Sequence, residues 1–303
     1  MAEPSTPSAL PLSPELLAQI RAIQVRTQRL VTDVFAGEYT SAFRGLGMEF
    51  AEVREYQPGD DIRRIDWNVT ARSGKPFIKQ HKEERELSVL LMVDLSSSGA
   101  FGSHTKHKRE LAAEVAAVLA FCAIKSNDKV GLIAFTDHVE HFVPPKKGRA
   151  HLWRVIREIL TFTPTRRGTA IKEALDYAGR VQRRRAVVFL ISDFMDRGFE
   201  TALAITARRH DVTAVTLTDP REEVVPRVGM LDLEDLESGG RLLLDTFDAG
   251  VRERYAARWR AHRTELTRIL HMTGVGEIAI RTDASYIDPI VRYFRAREHA
   301  HLR

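Results

Sequence analysis

The chain has one cysteine in 303 residues, Cys122. A disulfide within the chain is excluded, and the composition suits a reducing compartment. Cys122 sits in the apolar run VAAVLAFCAI and reads as a small core residue. Long hydrophobic runs are also missing. That run of ten residues, Val115 to Ile124, is the longest, whereas a membrane-spanning helix needs about 20. The opening MAEPSTPSALPLSP holds an acid, four prolines and no apolar signal-peptide core. We therefore expect a cytoplasmic protein without a membrane anchor of its own.

Several chemical signatures are absent too. No G-x-x-x-x-G-K-[ST] loop occurs, so a P-loop is excluded. The eleven histidines are scattered and form no metal cluster. No charge of one sign dominates: 46 Lys and Arg face 41 Asp and Glu, a net +5, with a pI of about 9.4. A mixed, solvated surface follows, and nucleic acid is not the expected partner. The run Arg183–Arg185 and the arginines of residues 252–263 read the same way.

What is present is a globular composition, 44% hydrophobic and 29% charged, on a chain long enough for one large domain or two modest ones. Residues 1–13 are rich in Pro and Ser and read as a disordered tail. Ser13 as N-cap and Pro14 start an amphipathic helix, for which Gly37 is the expected stop. MEFAEVREY and FIKQHKEE read as two extended pieces around a turn at QPGDD, with Pro58 and Gly59 at its centre. In this block opposite charges recur every two or three residues. One reading is a turn locked by local ion pairs, with Trp67 as a core anchor. The other is a partner-facing surface, with Arg63, Arg64 and Arg72 exposed for acidic contacts.

From residue 87 the texture is strand, helix, strand, helix. LSVLLMVD, KVGLIAFTD, AVVFLISD, DVTAVTLTD and GEIAIR read as strands, with HVEHFVPP as an edge strand. Nearly all-apolar strands are covered on both faces. The expected fold class is α/β: a doubly wound, mostly parallel sheet with helices on both faces, plus a small N-terminal helix and antiparallel β element. The expected divisions are 1–13, 14–86 and 87–303. Residues from about 220 to 275, with an acidic patch LDLEDLE, a strand RLLLD and an arginine-studded helix, read as an insertion before the last strand.

Two apolar strands end on acids, at Asp94 and Asp193, and so bring both to one sheet edge. Ligands of open parallel sheets bind in the crevice beyond that edge. Asp94 opens DLSSSG, and Thr169 lies in a glycine loop feeding a helix at the same edge. A serine nucleophile would want G-x-S-x-G and a histidine fixed on it, and neither is evident. An aspartyl phosphotransferase would want a second acid where Ser96 stands. Ser96 to Ser98 as a mere helix cap remain an alternative. A metal site fits the spacing best. Asp94, Ser96 and Ser98 can aim oxygens at one point, with Thr169 and Asp193 adding to them. Hard oxygen ligands suit Mg²⁺ or a similar divalent ion. Neutral hydroxyls leave such an ion wanting an outside carboxylate, which makes a docking point rather than a catalyst.

DLSSS, GT and SD resemble, in order and context, the metal-ion-dependent adhesion site of von Willebrand factor type A domains. The resemblance implies that Asp94, Ser96, Ser98, Thr169 and Asp193 hold Mg²⁺, or another divalent cation such as Mn²⁺ or Ca²⁺. Upstream, REYQPGDDIRRIDWNVTARSGKPFIKQHKEERE resembles the signature of domain-of-unknown-function family 58, through Tyr56, Pro58, Gly59, Asp60, Asp61, Arg63, Ile65, Asp66, Trp67, Ala71 and Arg72. That resemblance implies a bacterial, non-enzymatic adaptor or co-chaperone of a MoxR-type AAA+ ATPase, docking an acidic partner group through the cation. A metal-dependent phosphoester hydrolase at the same site, or a weak nucleic-acid binder, are the rival readings.

Overall fold

The computed structural model describes residues 36–43, 48–58, 60–83, 87–103, 107–236 and 239–301. The expected tail and most of the expected N-terminal helix lie outside them. A helix, α1 (Ala36–Ala42), is described. Gly37 lies inside it rather than ending it, a correction to the expected stop.

The first hairpin pairs β1 (Met48–Glu55) with β2 (Phe77–Glu83) in antiparallel register. Between them run a 3-10 turn (Ile62–Arg64) and a short helix, α2 (Trp67–Ser73). The turn expected at QPGDD closes with Asp60 N–H donating to the Gln57 carbonyl at 3.0 Å. The acids of this block bind backbone N–H groups as well as arginine. Asp61 accepts from the Arg63 N–H, and Asp66 accepts from Asn68 and Val69 N–H as the cap of α2. Asp60 makes an ion pair that reaches back to Arg54 at 2.7 Å. Trp67, expected as a core anchor, is 70% exposed. As the first residue of α2, it points away from the hairpin that the helix rides on.

The main sheet has six strands: β3 (Ser88–Asp94), β4 (Lys129–Phe135), β5 (Val139–Lys146), β6 (Val187–Ser192), β7 (Asp211–Thr218) and β10 (Gly276–Arg281), in the order β10-β7-β6-β3-β4-β5. All pairs are parallel except β4 with β5, the edge hairpin. The connecting helices are α3 (Lys108–Lys125), α4 (Arg149–Thr161), α5 (Ile171–Val181), α6 (Glu200–Arg209), the single turn α7 (Pro220–Glu223), α8 (Ala249–Thr273) and the C-terminal α9 (Ile287–His301). The expected doubly wound, mostly parallel α/β architecture is the one observed.

Strand alternation divides the core. Val89, Leu91 and Val93 of β3 face the cluster containing Leu111, Val115 and Leu119 of α3. Leu90 and Met92 face the cluster with Ile171 and Leu175 of α5 and Leu203 of α6. Cys122 is fully buried, as expected of a core residue. Tyr39 of α1 and Phe43 just after it join the first cluster, where both rings meet Phe294 edge-on. The insertion holds one strand more than expected: the acidic LDLEDLE forms most of β8 (Met230–Glu234), paired to β9 (Arg241–Asp245). Among the described residues, no helix is long and apolar enough to cross a membrane.

The chain order of the sheet reverses between β3 and β6. The chain first runs outward from β3 to β4 and the hairpin strand β5, and later from β6 to β7 and β10. The two strands that end on Asp94 and Asp193 are therefore the two that flank the switch point, where a crevice opens.

Candidate metal-binding site

Asp94 is the last residue of β3, and Asp193 follows the last residue of β6. Both are 8% exposed. Ser192 Oγ donates to Asp94 Oδ2 at 2.6 Å, and Ser96 N–H donates to Asp94 Oδ1 at 2.9 Å. These bonds fix the carboxylate plane. After Asp193 the chain turns through Phe194, whose φ of 57° is left-handed. That conformation is uncommon for a bulky residue. It is held by burial of the ring and by the Phe194 N–H, which donates to Ser192 Oγ at 3.0 Å.

The serine loop is a 3-10 turn, Ser97–Ala100, with Ser96 at its N-cap position. Ser96 makes no side-chain cap hydrogen bond there, so the helix-cap alternative does not hold. Its hydroxyl instead lies 3.0 Å from Ser98 Oγ. Ser98 also hydrogen-bonds Asp193. Ser97 N–H donates to the Arg167 carbonyl at 2.9 Å, and Ala170 N–H to the Thr136 carbonyl at 2.8 Å. The Gly168–Thr169 segment is thus stitched beside the serine loop and the end of β4. The structure brings all five expected residues to one edge. Asp94, Ser98 and Asp193 line a common cavity of about 10 Å³, roughly the room of one water.

Lys108 also lines that cavity. Its Nζ donates to Asp193 Oδ2 at 2.6 Å and to Glu222 Oε1 at 2.5 Å, and its side chain is 2% exposed. Glu222 is the third residue of a capping box whose Asp219 starts α7. Burial disfavours the ammonium, but Asp193 and Glu222 outweigh it and raise the Lys108 pKa. Burial likewise opposes charge on Asp193, yet Lys108 overrides it and holds that carboxyl below its ordinary value. Glu222 stays above its ordinary value because burial there exceeds the pull of Lys108. Among the described residues, no ion pair to Asp94 is formed. Burial, and then the Asp193 charge, push it up to about 7.

Two carboxyl groups, those of Asp193 and Glu222, thus share one ammonium, and the Asp94 carboxyl feels the Asp193 charge beside it. The deficit of positive charge and the hydroxyls of Ser96 and Ser98 fit a hard divalent cation. Among the described residues, no group of three or more His, Cys, Asp or Glu side chains is placed to hold a metal. The set here differs in kind, being two carboxylates completed by hydroxyls.

Sequence reasoning did not find Lys108, Ser192 or Glu222. Lys108 carries a faint signal, because a lysine opening a helix opposes the macrodipole. Of the arginines expected to face a partner, Arg63 and Arg72 are exposed. Arg64 ends the 3-10 turn, and its side chain lies outside the described residues. In α8, Arg260 pairs with Glu253 and Arg263 with Glu277, and Arg252 bonds the Thr246 and Phe247 carbonyls. These are solvated, locally satisfied arginines, as expected.

The model of the family described as "Protein of unknown function DUF58" matches residues 52–265. The uncharacterized protein Rv1480 of Mycobacterium tuberculosis is 33% identical over 292 residues, covering 95% of this chain and 92% of that protein. The uncharacterized protein YeaD of Bacillus subtilis is 28% identical over 109 residues, 36% of this chain and 25% of that protein. Among solved structures, the conserved hypothetical protein BatB of Bacteroides thetaiotaomicron superposes with a TM-score of 0.45 at 20% identity, covering 70% of this chain and 99% of that one. The SpRpn10 VWA domain superposes with a TM-score of 0.38 at 11% identity, covering 68% and 94%.

Proposed function

The chain belongs to the protein family of unknown function DUF58, and from that membership and the charge at its sheet edge we propose that it is a non-enzymatic protein-interaction module whose docking point is a divalent cation. Asp94, Ser96, Ser98, Thr169 and Asp193 would hold the ion, Mg²⁺ or else Mn²⁺ or Ca²⁺. The observation that carries the reading is the buried Asp94 carboxyl set beside Asp193 at the topological switch point, where the one ammonium, Lys108, is already shared by Asp193 and Glu222. When bound, the ion supplies a positive centre able to hold an acidic group of a partner.

The chain's own residues prepare that site. Ser192 and the Ser96 N–H orient the Asp94 carboxylate. Lys108 keeps Asp193 ionised and supplies part of the charge that the cation would bring, so ion and ammonium compete for the same carboxylate. The hydroxyls of Ser96 and Ser98 bond each other, which supports a ligand role over a nucleophile. The partner we propose is a MoxR-type AAA+ ATPase, with exposed Arg63 and Arg72 as a second, basic contact.

A pull-down with such an ATPase tests this. Retention in Mg²⁺, with release by EDTA and by Asp94→Ala, is the expected result. Retention that ignores both EDTA and Asp94→Ala would refute cation-dependent docking.

A further inference from the structure

The hairpin β8–β9 stands apart from the main sheet as a two-stranded unit. Among the described residues, each strand pairs only with the other. Two strands alone are marginal in water, and this pair is braced at its base. Thr246 N–H and Oγ1 both donate to the Gly229 carbonyl, at 2.8 and 2.7 Å, and Arg252 Nη1 donates to the Thr246 carbonyl at 2.6 Å. The base is held while the open edges project. Leu242 is 58% exposed and Leu243 61%. Exposed leucines on consecutive residues of an open strand put apolar surface on both faces of that edge, an arrangement proteins normally blunt.

The two edges differ in charge pattern. β8 reads Met-Leu-Asp-Leu-Glu. Paired antiparallel with a second copy about its centre, it would set Asp232 against Asp232 and Met230 against Glu234. Like charges directly opposite are destabilising. β9 reads Arg-Leu-Leu-Leu-Asp. Paired the same way about Leu243, it sets Leu243 on Leu243, Leu242 on Leu244, and Arg241 on Asp245 at both ends. Every position of β9 meets its complement when the strand meets itself. Among the described residues, Arg241 makes a surface ion pair with Asp232 on its neighbouring strand, both partners being exposed. Asp245 spends one oxygen on the Phe247 N–H at 2.9 Å, and its second is open to an arginine.

We infer that the chain self-associates as a two-fold dimer through β9, giving a four-stranded sheet in the order β8-β9-β9-β8. Such an interface is isologous and closes on itself. The acids of β8 guard the outer edges, so the pairing stops at two copies. The contact is five residues a side and falls short of the about 1,200 Å² of a standard interface. The dimer is therefore expected to be concentration-dependent rather than permanent.

Sedimentation equilibrium of the full chain, from low-micromolar to submillimolar protein, tests this. The expected result is a monomer–dimer equilibrium with no larger species. Leu243→Lys sets two ammonium groups at the two-fold axis and should leave monomer only. R241D and D245R each create two like-charge contacts and should weaken the dimer at least about tenfold. Combining R241D with D245R restores complementarity and should restore the dimer. All these side chains are exposed, so unchanged melting temperatures would show that folding is not the cause. A monomer throughout the range would overturn the inference. So would a dimer that Leu243→Lys and both reversals leave intact.

Discussion

Lys108 Nζ lies 2.6 Å from Asp193 Oδ2 in the interior of the sheet edge, and the same ammonium reaches Glu222 Oε1 at 2.5 Å. A helix begins by burying its first side chain between two acids, one just after β6 and one in α7. One link thus ties together the start of α3, the switch point and the segment that follows β7. Breaking a buried pair on one side leaves an uncompensated charge and costs about 3–5 kcal/mol. Lys108→Met should therefore lower stability by about that much without Mg²⁺. It should also raise Mg²⁺ affinity at least about tenfold, because the competing charge is gone. Urea unfolding with and without Mg²⁺ reads both effects, and the added ion should restore much of the lost stability.

Asp219 offers a separate test of pH dependence. Its carboxylate is fully buried and accepts from Ser103 N–H and Oγ, from Arg221 N–H and from Thr282 Oγ1. Burial alone would raise its pKa, but these donors, Ser103 first, hold it down to about 2. The folded value lies below the unfolded one of about 3.9. The stabilisation is thus complete above the unfolded value and is lost as pH falls through the folded one. It should amount to on the order of 2 kcal/mol. Asp219→Asn should cost about that much at pH 6, and progressively less towards pH 2, by chemical denaturation at each pH.

Gly131 in β4 is required by close approach. A Cβ there would stand 2.9 Å from the Val143 carbonyl oxygen and 2.9 Å from Pro145 Cγ and Cδ. The obstacle is partly backbone of the paired strand, in the stretch where the β4–β5 register shifts. Gly131→Ala should destabilise by about 1–3 kcal/mol, seen as a fall in the urea midpoint at unchanged slope.

Trp67 should behave in the opposite way. At 70% exposure it has little burial to lose. Trp67→Ala should change stability by less than about 0.5 kcal/mol. A large loss in thermal melting would mean that the ring packs in solution.

Most of the fold was legible because the central strands of the main sheet are short apolar runs and α4 and α5 carry clear helical periodicity. The sheet-edge site was legible because Asp94 and Asp193 each end such a run, which fixes the edge at which they emerge. Lys108 and Glu222 were not. They come from elements distant in sequence, which only the folded chain brings together. Trp67 was misread because an aromatic in a charged stretch suggests an anchor, whereas Asp66 before it is a helix cap that turns the ring outward. β8 was read as an acidic patch because its alternation of Leu with Asp and Glu is also what a solvated hairpin strand looks like.

Titration calorimetry of Mg²⁺ into the full chain tests the central claim most directly. The account predicts saturable binding of one ion in the wild type. It predicts loss of that binding in Asp94→Ala, and strong weakening in Ser98→Ala. Absence of binding in the wild type, or the same isotherm in wild type and Asp94→Ala, would contradict it.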